Sequence, residues 1–183
     1  MDKRAERKLQ RARLIEARHA LTDRSRLEAA LQDRARAWLE QTDVLTLGFY
    51  SPIRGEPDLR AVIAHWLSVD PRRVAALPAI DGSVLRYHAW TEDSRLQPGS
   101  YGIPVCVGDA IVQPHCLMIP CVGFDRERYR LGFGGGYYDR TLAALSPRPL
   151  VVGIAFEVSR LESIDPEPHD VQMDLVITEA GAY

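Results

Sequence analysis

The residues best equipped for chemistry lie at positions 130–140, RLGFGGGYYDR. Gly132, Gly134, Gly135 and Gly136 fill four of five consecutive positions just before a segment with helical patterning. Backbone lacking Cβ atoms can take positive φ and approach a ligand closely. Successive N–H groups beside a helix N-terminus then form a concavity suited to phosphate. A tight loop without a ligand is the alternative; glycine density this high before a helix sets phosphate binding ahead of it. The run is not G-x-G-x-x-G, because Tyr137 stands at the third glycine's place, and it is not a P-loop, because no Lys-Ser/Thr pair follows. A dinucleotide fingerprint is therefore not supported. Asp139 opens the following helix. An acid there is favoured by the helix dipole alone, yet a carboxylate beside bound phosphate also suits Mg²⁺, which takes few carboxylates together with phosphate oxygens and water.

Arg7 and Arg11 stand one helical turn apart, a spacing that lets two guanidiniums grip a polyphosphate through charge-assisted hydrogen bonds. Without the glycine loop, the same pair reads as an ordinary solvated face. Tyr50 and Glu56 flank the end of the first predicted strand, the edge where ligands of open parallel sheets lie. Tyr87 and Trp90 are further aromatic candidates for a ligand contact, although a tryptophan on an alternating strand is more often core. The five histidines show no metal spacing. No Ser-His or Cys-His nucleophile pair is evident.

The elements that must position these groups follow from periodicity. The N-terminus reads as a basic helix with Leu9, Ala12, Leu14, Ala17 and Leu21 on its apolar side and Arg4, Arg7, Arg11 and Arg18 on its polar side. Thr22 is the expected N-cap of a second helix carrying Leu27, Leu31, Ala35 and Trp38 to about Gln41. Residues 44–50 change to a strand pattern. A helix capped by Asp58 then places Leu59, Val62, Ile63, Trp66 and Leu67 on one face. Further strands are expected at 73–79, 84–90, 116–120, 150–156 and 174–178, and a helix at 137–145. Continuous apolar runs mark strands covered on both faces. The expectation is one α/β domain spanning 1–183: a three-layer, largely parallel sheet flanked by helices, with 84–90 in an antiparallel edge hairpin.

Composition narrows the function classes. With 183 residues, 46% hydrophobic and 26% charged, the chain can bury a real core. Residues 1–26 carry nine basic against four acidic side chains (net +5), leaving 14 against 21 (net −7) on the rest. A formal charge of −2 gives no global attraction to nucleic acid or anionic membrane. Three cysteines without a C-x-x-C pair disfavour a disulfide framework and a zinc knuckle. The charged N-terminus lacks the apolar segment of a secretory signal, and Glu6, Glu16 and the shortage of serine argue against a transit peptide. Residues 110–124 lack charge but hold Pro114 and Pro120 and are too short to span a bilayer as a helix. These features point to the cytoplasm, with neither membrane nor nucleic acid as partner.

The pattern as a whole resembles the 5-formyltetrahydrofolate cyclo-ligase family. The features that carry the resemblance are the basic helix ending in R-x-x-L-T at 18–22, Y-S-x-x-x-G-E at 50–56, the glycine loop, and P-H-D at 168–170 followed by D-x-V-I-T. The resemblance implies a fold like that of sugar-phosphate isomerases and CoA transferases. It implies ATP- and Mg²⁺-dependent cyclisation of 5-formyltetrahydrofolate to 5,10-methenyltetrahydrofolate, with release of ADP and phosphate. It assigns Arg7, Arg11, Arg130, Leu131, Gly132, Phe133, Gly134, Gly135, Gly136, Tyr137 and Tyr138 to ATP. Asp139 and Asp170 are assigned to the metal, and Tyr50, Glu56, Tyr101 and Tyr137 to the folate. Arg130 and Asp139 are the implied catalytic pair. The chain departs from the family pattern at Val105-Cys106, where many members have Glu-Pro, at His115, where aspartate is common, and at Ser159, where many have glutamine. A phosphometabolite binder that does not cleave ATP is the alternative. A nucleic-acid or partner-binding module built on the basic helix ranks last, given the acidic remainder.

Overall fold

The computed structural model describes residues 3–108 and 110–183. The chain begins with helices α1 (Lys3–His19) and α2 (Arg24–Glu40), then strand β1 (Thr46–Gly48) and helix α3 (Arg60–Val69). Strands β2 (Val74–Asp81), β3 (Val84–Trp90), β4 (Leu96–Pro98), β5 (Pro104–Cys106), β6 (Ile111–Val112), β7 (Cys116–Pro120), β8 (Gly123–Asp125) and β9 (Arg130–Leu131) follow. Helix α4 (Tyr137–Ala144), β10 (Leu150–Ile154), β11 (Arg160–Leu161) and β12 (Leu175–Ile177) complete the chain.

The main sheet has the order β12-β10-β7-β1-β2-β3-β6, and its first five strands are mutually parallel. Its apolar runs alternate faces. Ala75, Leu77, Cys116, Met118, Val152, Ile154 and Ile177 meet α2 and α3 through Leu31, Ala35, Leu39, Val62, Ile63 and Trp66. Ala76, Leu117, Ile119, Val151 and Val176 face the other way, toward Leu142 of α4 and Phe124 of β8. Strands buried on both faces need apolar side chains at every position, which is why these segments show continuous rather than alternating hydrophobicity. The expected three-layer parallel α/β architecture is the one observed. No helix among the described residues is long and apolar enough to cross a membrane.

Several local expectations are corrected. Thr22 does not cap α2; Asp23 occupies that position in the left-handed region (φ 53°), without a side-chain cap bond. Asp58 does accept the Arg60 N–H at 2.9 Å, but the helix starts at Arg60 rather than Leu59. The β2–β3 hairpin is antiparallel as expected, yet β6 lies outside it and forms the sheet edge. Segment 123–129 is more than a turn: β8 joins β9 and β11 in a second, three-stranded sheet, and Asp125 ties its corner by accepting from the Glu127, Tyr129 and Ile164 N–H groups. The β4–β5 hairpin was not anticipated either.

The largest correction concerns α1. Leu9 is 51% exposed, whereas Arg18 is 1% exposed and among the largest fully buried side chains. The inward stripe is Arg7, Arg11, Leu14, Arg18, spaced i, i+4, i+7, i+11 along one helical face. Only Leu14 joins an apolar cluster, with Val122, Leu131 and Ile164. The helix lies across a polar surface, so cations share its inward face with Leu14.

Candidate functional site

The glycine loop follows β9 and opens α4. Gly136, in the left-handed region (φ 64°), occupies the N-cap of α4. Gly134 (φ 93°) also needs that region, and a Cβ there would come within 3.3 Å of the Arg11 guanidinium. A side chain at 134 would thus meet both a strained backbone and α1. Phe133, Gly134 and Gly135 are exposed to solvent. From behind, Arg140 braces the loop, donating to the Gly135 and Ser83 carbonyls at 2.8 and 2.7 Å and lying over the Tyr137 ring.

Two ion pairs stand beside the loop. Arg130 donates to Asp139 Oδ1 at 2.5 Å and to the Val171 carbonyl at 2.9 Å; Asp139 Oδ1 also accepts the Val171 N–H at 3.2 Å. Arg7 donates to Asp170 Oδ2 at 3.0 Å and to the Asp165 carbonyl at 3.0 Å. Asp170 directly precedes Val171, so the two ion pairs hold adjacent residues of one segment. Burial pushes the Asp170 carboxyl up, but the Glu167 N–H and the Arg7 guanidinium hold it below its ordinary value. Asp174 belongs elsewhere: it pairs with Arg148 at 2.8 Å and accepts the Val151 N–H.

Arg11 donates from Nε to the Gly132 carbonyl at 2.6 Å, clamping α1 onto the loop. Burial and the neighbouring Arg7 lower its pKa, with Asp170 opposing. Arg7 Nε is buried and has no partner among the described residues. Two adjacent guanidiniums, one with an orphaned donor, form an anion site by charge and by hydrogen-bond demand. Two carboxylates beside such a site fit Mg²⁺, which completes its shell with phosphate oxygens and water. No group of three or more His, Cys, Asp or Glu residues positioned to hold a metal occurs among the described residues.

The segment after β1 forms the adjoining wall. It is held by α2: Arg24 donates to the Gly55 carbonyl at 3.1 Å, Glu28 accepts the Asp58 N–H at 2.7 Å, and Gln32 donates to the Asp58 carbonyl at 2.7 Å. Tyr50 is buried in the core with its hydroxyl on the Pro57 carbonyl at 2.7 Å. Glu56 is 4% exposed and accepts the Ile53 N–H at 2.9 Å. Two side-chain contacts link this region to the glycine loop. The Arg54 guanidinium lies 5.0 Å from the Phe133 ring centroid. Tyr101, 82% exposed beside the β4–β5 hairpin, hydrogen-bonds Tyr137.

Burial raises the Glu56 carboxyl from 4.5 to about 7, against the lowering effects of the Ile53 N–H, Arg18 and Arg54. The folded protein thus keeps a proton on Glu56 that the unfolded chain releases, and the stability this supplies is lost as pH rises through the interval between those values. Relative to the parent protein, Glu56→Gln should gain about 2–3 kcal/mol of stability between pH 5 and pH 8. Thermal unfolding at the two pH values checks this; the same melting difference at both would place the carboxyl in water.

Of the predicted site residues, Arg11 bonds the glycine loop, Arg130 pairs with Asp139, Arg7 with Asp170 and Tyr101 with Tyr137, whereas Tyr50 and Glu56 are buried and bonded within their own segment. Three arginines, Arg18, Arg54 and Arg140, were not assigned to the site from the sequence. Arg18 had a legible signal, its helical spacing from Arg7 and Arg11. Arg140 closes the 130–140 motif and sits three and five residues from its partners Tyr137 and Gly135, whereas Arg54 had no signal, because its partner Phe133 comes from a distant segment. Residues 2–179 match the 5-formyltetrahydrofolate cyclo-ligase family. The chain is 30% identical to the 5-formyltetrahydrofolate cyclo-ligase of Mycoplasma pneumoniae, covering 98% of this chain and 99% of the relative. The solved 5,10-methenyltetrahydrofolate synthetase of Mycoplasma pneumoniae superposes with a TM-score of 0.77 at 26% identity, covering 98% and 99% of the two chains. That of Aquifex aeolicus gives 0.82 at 28% identity, covering 96% and 91%. Matched over nearly its whole length in both sequence and fold, this chain belongs to the 5-formyltetrahydrofolate cyclo-ligase family.

Proposed function

We infer that the protein cyclises 5-formyltetrahydrofolate to 5,10-methenyltetrahydrofolate, converting ATP to ADP and phosphate. The observation that carries this reading is the pairing of Arg7 with Asp170, of Arg11 with the glycine loop and of Arg130 with Asp139, with the buried Arg7 Nε lacking an acceptor among the described residues. Arg7 and Arg11 grip the polyphosphate, and the loop from Gly132 to Tyr138 supplies backbone donors along it. Asp139 and Asp170 hold Mg²⁺, which when bound neutralises phosphate charge. Arg130, fixed by Asp139 and the Val171 carbonyl, keeps a positive charge beside the transferring group.

On the adjoining wall, Glu56 takes the hydrogen-bond donors of the pterin, and Tyr101 and Tyr137 flank the folate; Tyr50 backs this wall from the core. The formyl oxygen is the nucleophile. It attacks the γ-phosphorus as ADP leaves, giving a phosphorylated imidate; N10 then closes on the activated carbon and phosphate departs. No side-chain nucleophile is required, so the protein contributes positioning and charge neutralisation.

The direct test mixes purified protein with 5-formyltetrahydrofolate, Mg²⁺ and ATP. Methenyl absorbance should appear together with ADP; folded protein that produces neither would be a phosphometabolite binder instead. Glu56→Gln, titrated calorimetrically at pH 8, should bind 5-formyltetrahydrofolate about tenfold to a hundredfold more weakly, the range expected for a charge-assisted contact of ~1.5–3 kcal/mol. ATP affinity should stay the same. Unchanged folate affinity would move the pterin site toward Trp90 and Tyr101.

A further inference from the structure

Arg54 carries a charge that nothing beside it neutralises. Its guanidinium makes no ion pair and no hydrogen bond among the described residues; it lies 5.0 Å from the Phe133 ring centroid, on the exposed side of the turn. Arg7, Arg11, Arg18, Arg24, Arg130 and Arg140, by contrast, each donate to a carbonyl or a carboxylate. The turn is built to hold Arg54 in this place. Arg54 takes the left-handed region (φ 47°), and Gly55 follows it there (φ 74°). The Ile53 N–H donates to Glu56 Oε2 and the Glu56 N–H to the Ile53 carbonyl, both at 2.9 Å, so the turn closes on itself. Behind it, Arg24 donates to the Gly55 and Glu56 carbonyls at 3.1 and 3.3 Å. A large side chain costs conformational energy in the left-handed region and persists there where its surroundings over-determine it, as they do at ligand clamps. The result is one turn with two opposite faces: Glu56 buried, Arg54 outward over the ring of Phe133, which is itself 39% exposed.

We propose that Arg54 is a specificity-determining residue: it binds a carboxylate of the substrate's glutamate tail and so selects glutamate-bearing folates. This rests on the reading of Glu56 as the pterin contact. In 5-formyltetrahydrofolate the pterin is the uncharged end; a rigid p-aminobenzoyl group separates it from the glutamate, whose two carboxylates are the molecule's negative charges. With the pterin donors on the buried Glu56, the rigid spacer must lead the glutamate out of the wall toward solvent. Arg54, two residues from Glu56 in the chain, stands on that outward side. A guanidinium lying over an aromatic ring is held by its face, which leaves the N–H groups along its edge free for the two oxygens of a carboxylate. Phe133 thus orients the cation without consuming its donors.

The test compares 5-formyltetrahydrofolate with 5-formyltetrahydropteroate, which lacks the glutamate, by calorimetric titration of wild type, Arg54→Gln and Arg54→Lys at pH 8 and low salt. Arg54 is exposed and forms no bond that holds the fold, so both variants should fold. Wild type should bind the folate about threefold to fivefold more tightly than the pteroate, the scale of a solvent-exposed ion pair. Arg54→Gln should abolish that preference by weakening the folate alone, and Arg54→Lys, which keeps the charge, should retain most of it. Added salt should narrow the wild-type preference, because an exposed pair is screened. Equal affinity of wild type for the two compounds, or a preference that survives in Arg54→Gln, would overturn the proposal. Weakening of both compounds alike in Arg54→Gln would mean that the residue acts at the pterin end, and a raised KM for ATP would mean that it serves the polyphosphate; either result overturns it too. Wild type that binds neither compound would sink the folate reading itself, and this proposal with it.

Discussion

Asp139→Asn should lower Mg-ATP-dependent turnover at least a thousandfold and, at the same time, cost the fold about 1.5–3 kcal/mol. The two effects have separate causes. The carboxylate proposed to hold the metal is also the acceptor for the buried Arg130 and for the Val171 N–H. Asparagine keeps an acceptor oxygen and the shape, so the helix start survives, but Arg130 loses the charge opposite it. An acid that merely balanced the helix dipole would contribute only about 0.3–1 kcal/mol and would not affect chemistry. Turnover at saturating substrates reads the first effect, and thermal unfolding reads the second. Arg130→Met separates the roles further. If Asp139 serves only to anchor Arg130, the two variants should match and the double variant should be no worse than either. Turnover of Asp139→Asn within a factor of two of wild type would end the metal assignment.

Arg7→Ala and Arg11→Ala should each raise the KM for ATP about tenfold to a hundredfold while leaving that for folate within twofold, as expected for one charge-assisted contact of ~1.5–3 kcal/mol lost per variant. The local consequences differ. Arg7→Ala also releases Asp170 from its ion pair, so the apparent Mg²⁺ requirement should shift as well. Arg11→Ala removes the donor clamped on the Gly132 carbonyl and leaves the loop unbraced from above. Arg13→Ala, on the exposed side of the same helix, is the control. If all three variants behave alike, the first helix presents a solvated face and the polyphosphate lies elsewhere.

Much of this protein is determined locally by its sequence. The apolar runs at 74–77, 116–120 and 150–154 can be satisfied only between two covering layers, and they form the heart of the parallel sheet. The glycine loop needs no tertiary context to be recognised, because Gly134 and Gly136 take backbone conformations that side chains disfavour. What the tertiary structure decided is the direction in which α1 faces. Of the leucines expected on its apolar side Leu14 is buried and Leu9 exposed, and the helix docks also through Arg7, Arg11 and Arg18, because the surface that receives it offers the Gly132, Asp165 and Cys121 carbonyls and the Asp170 carboxylate. Periodicity reports which residues share a helical face but not what that face meets. The same limit hid the second sheet, whose two- and three-residue strands are too short to show a period and exist only because β8 finds β9 and β11. The burial of Glu56 also lay beyond local pattern: its segment is pinned by Arg24 of α2, 32 residues away in the chain, and only the fold brings the two together.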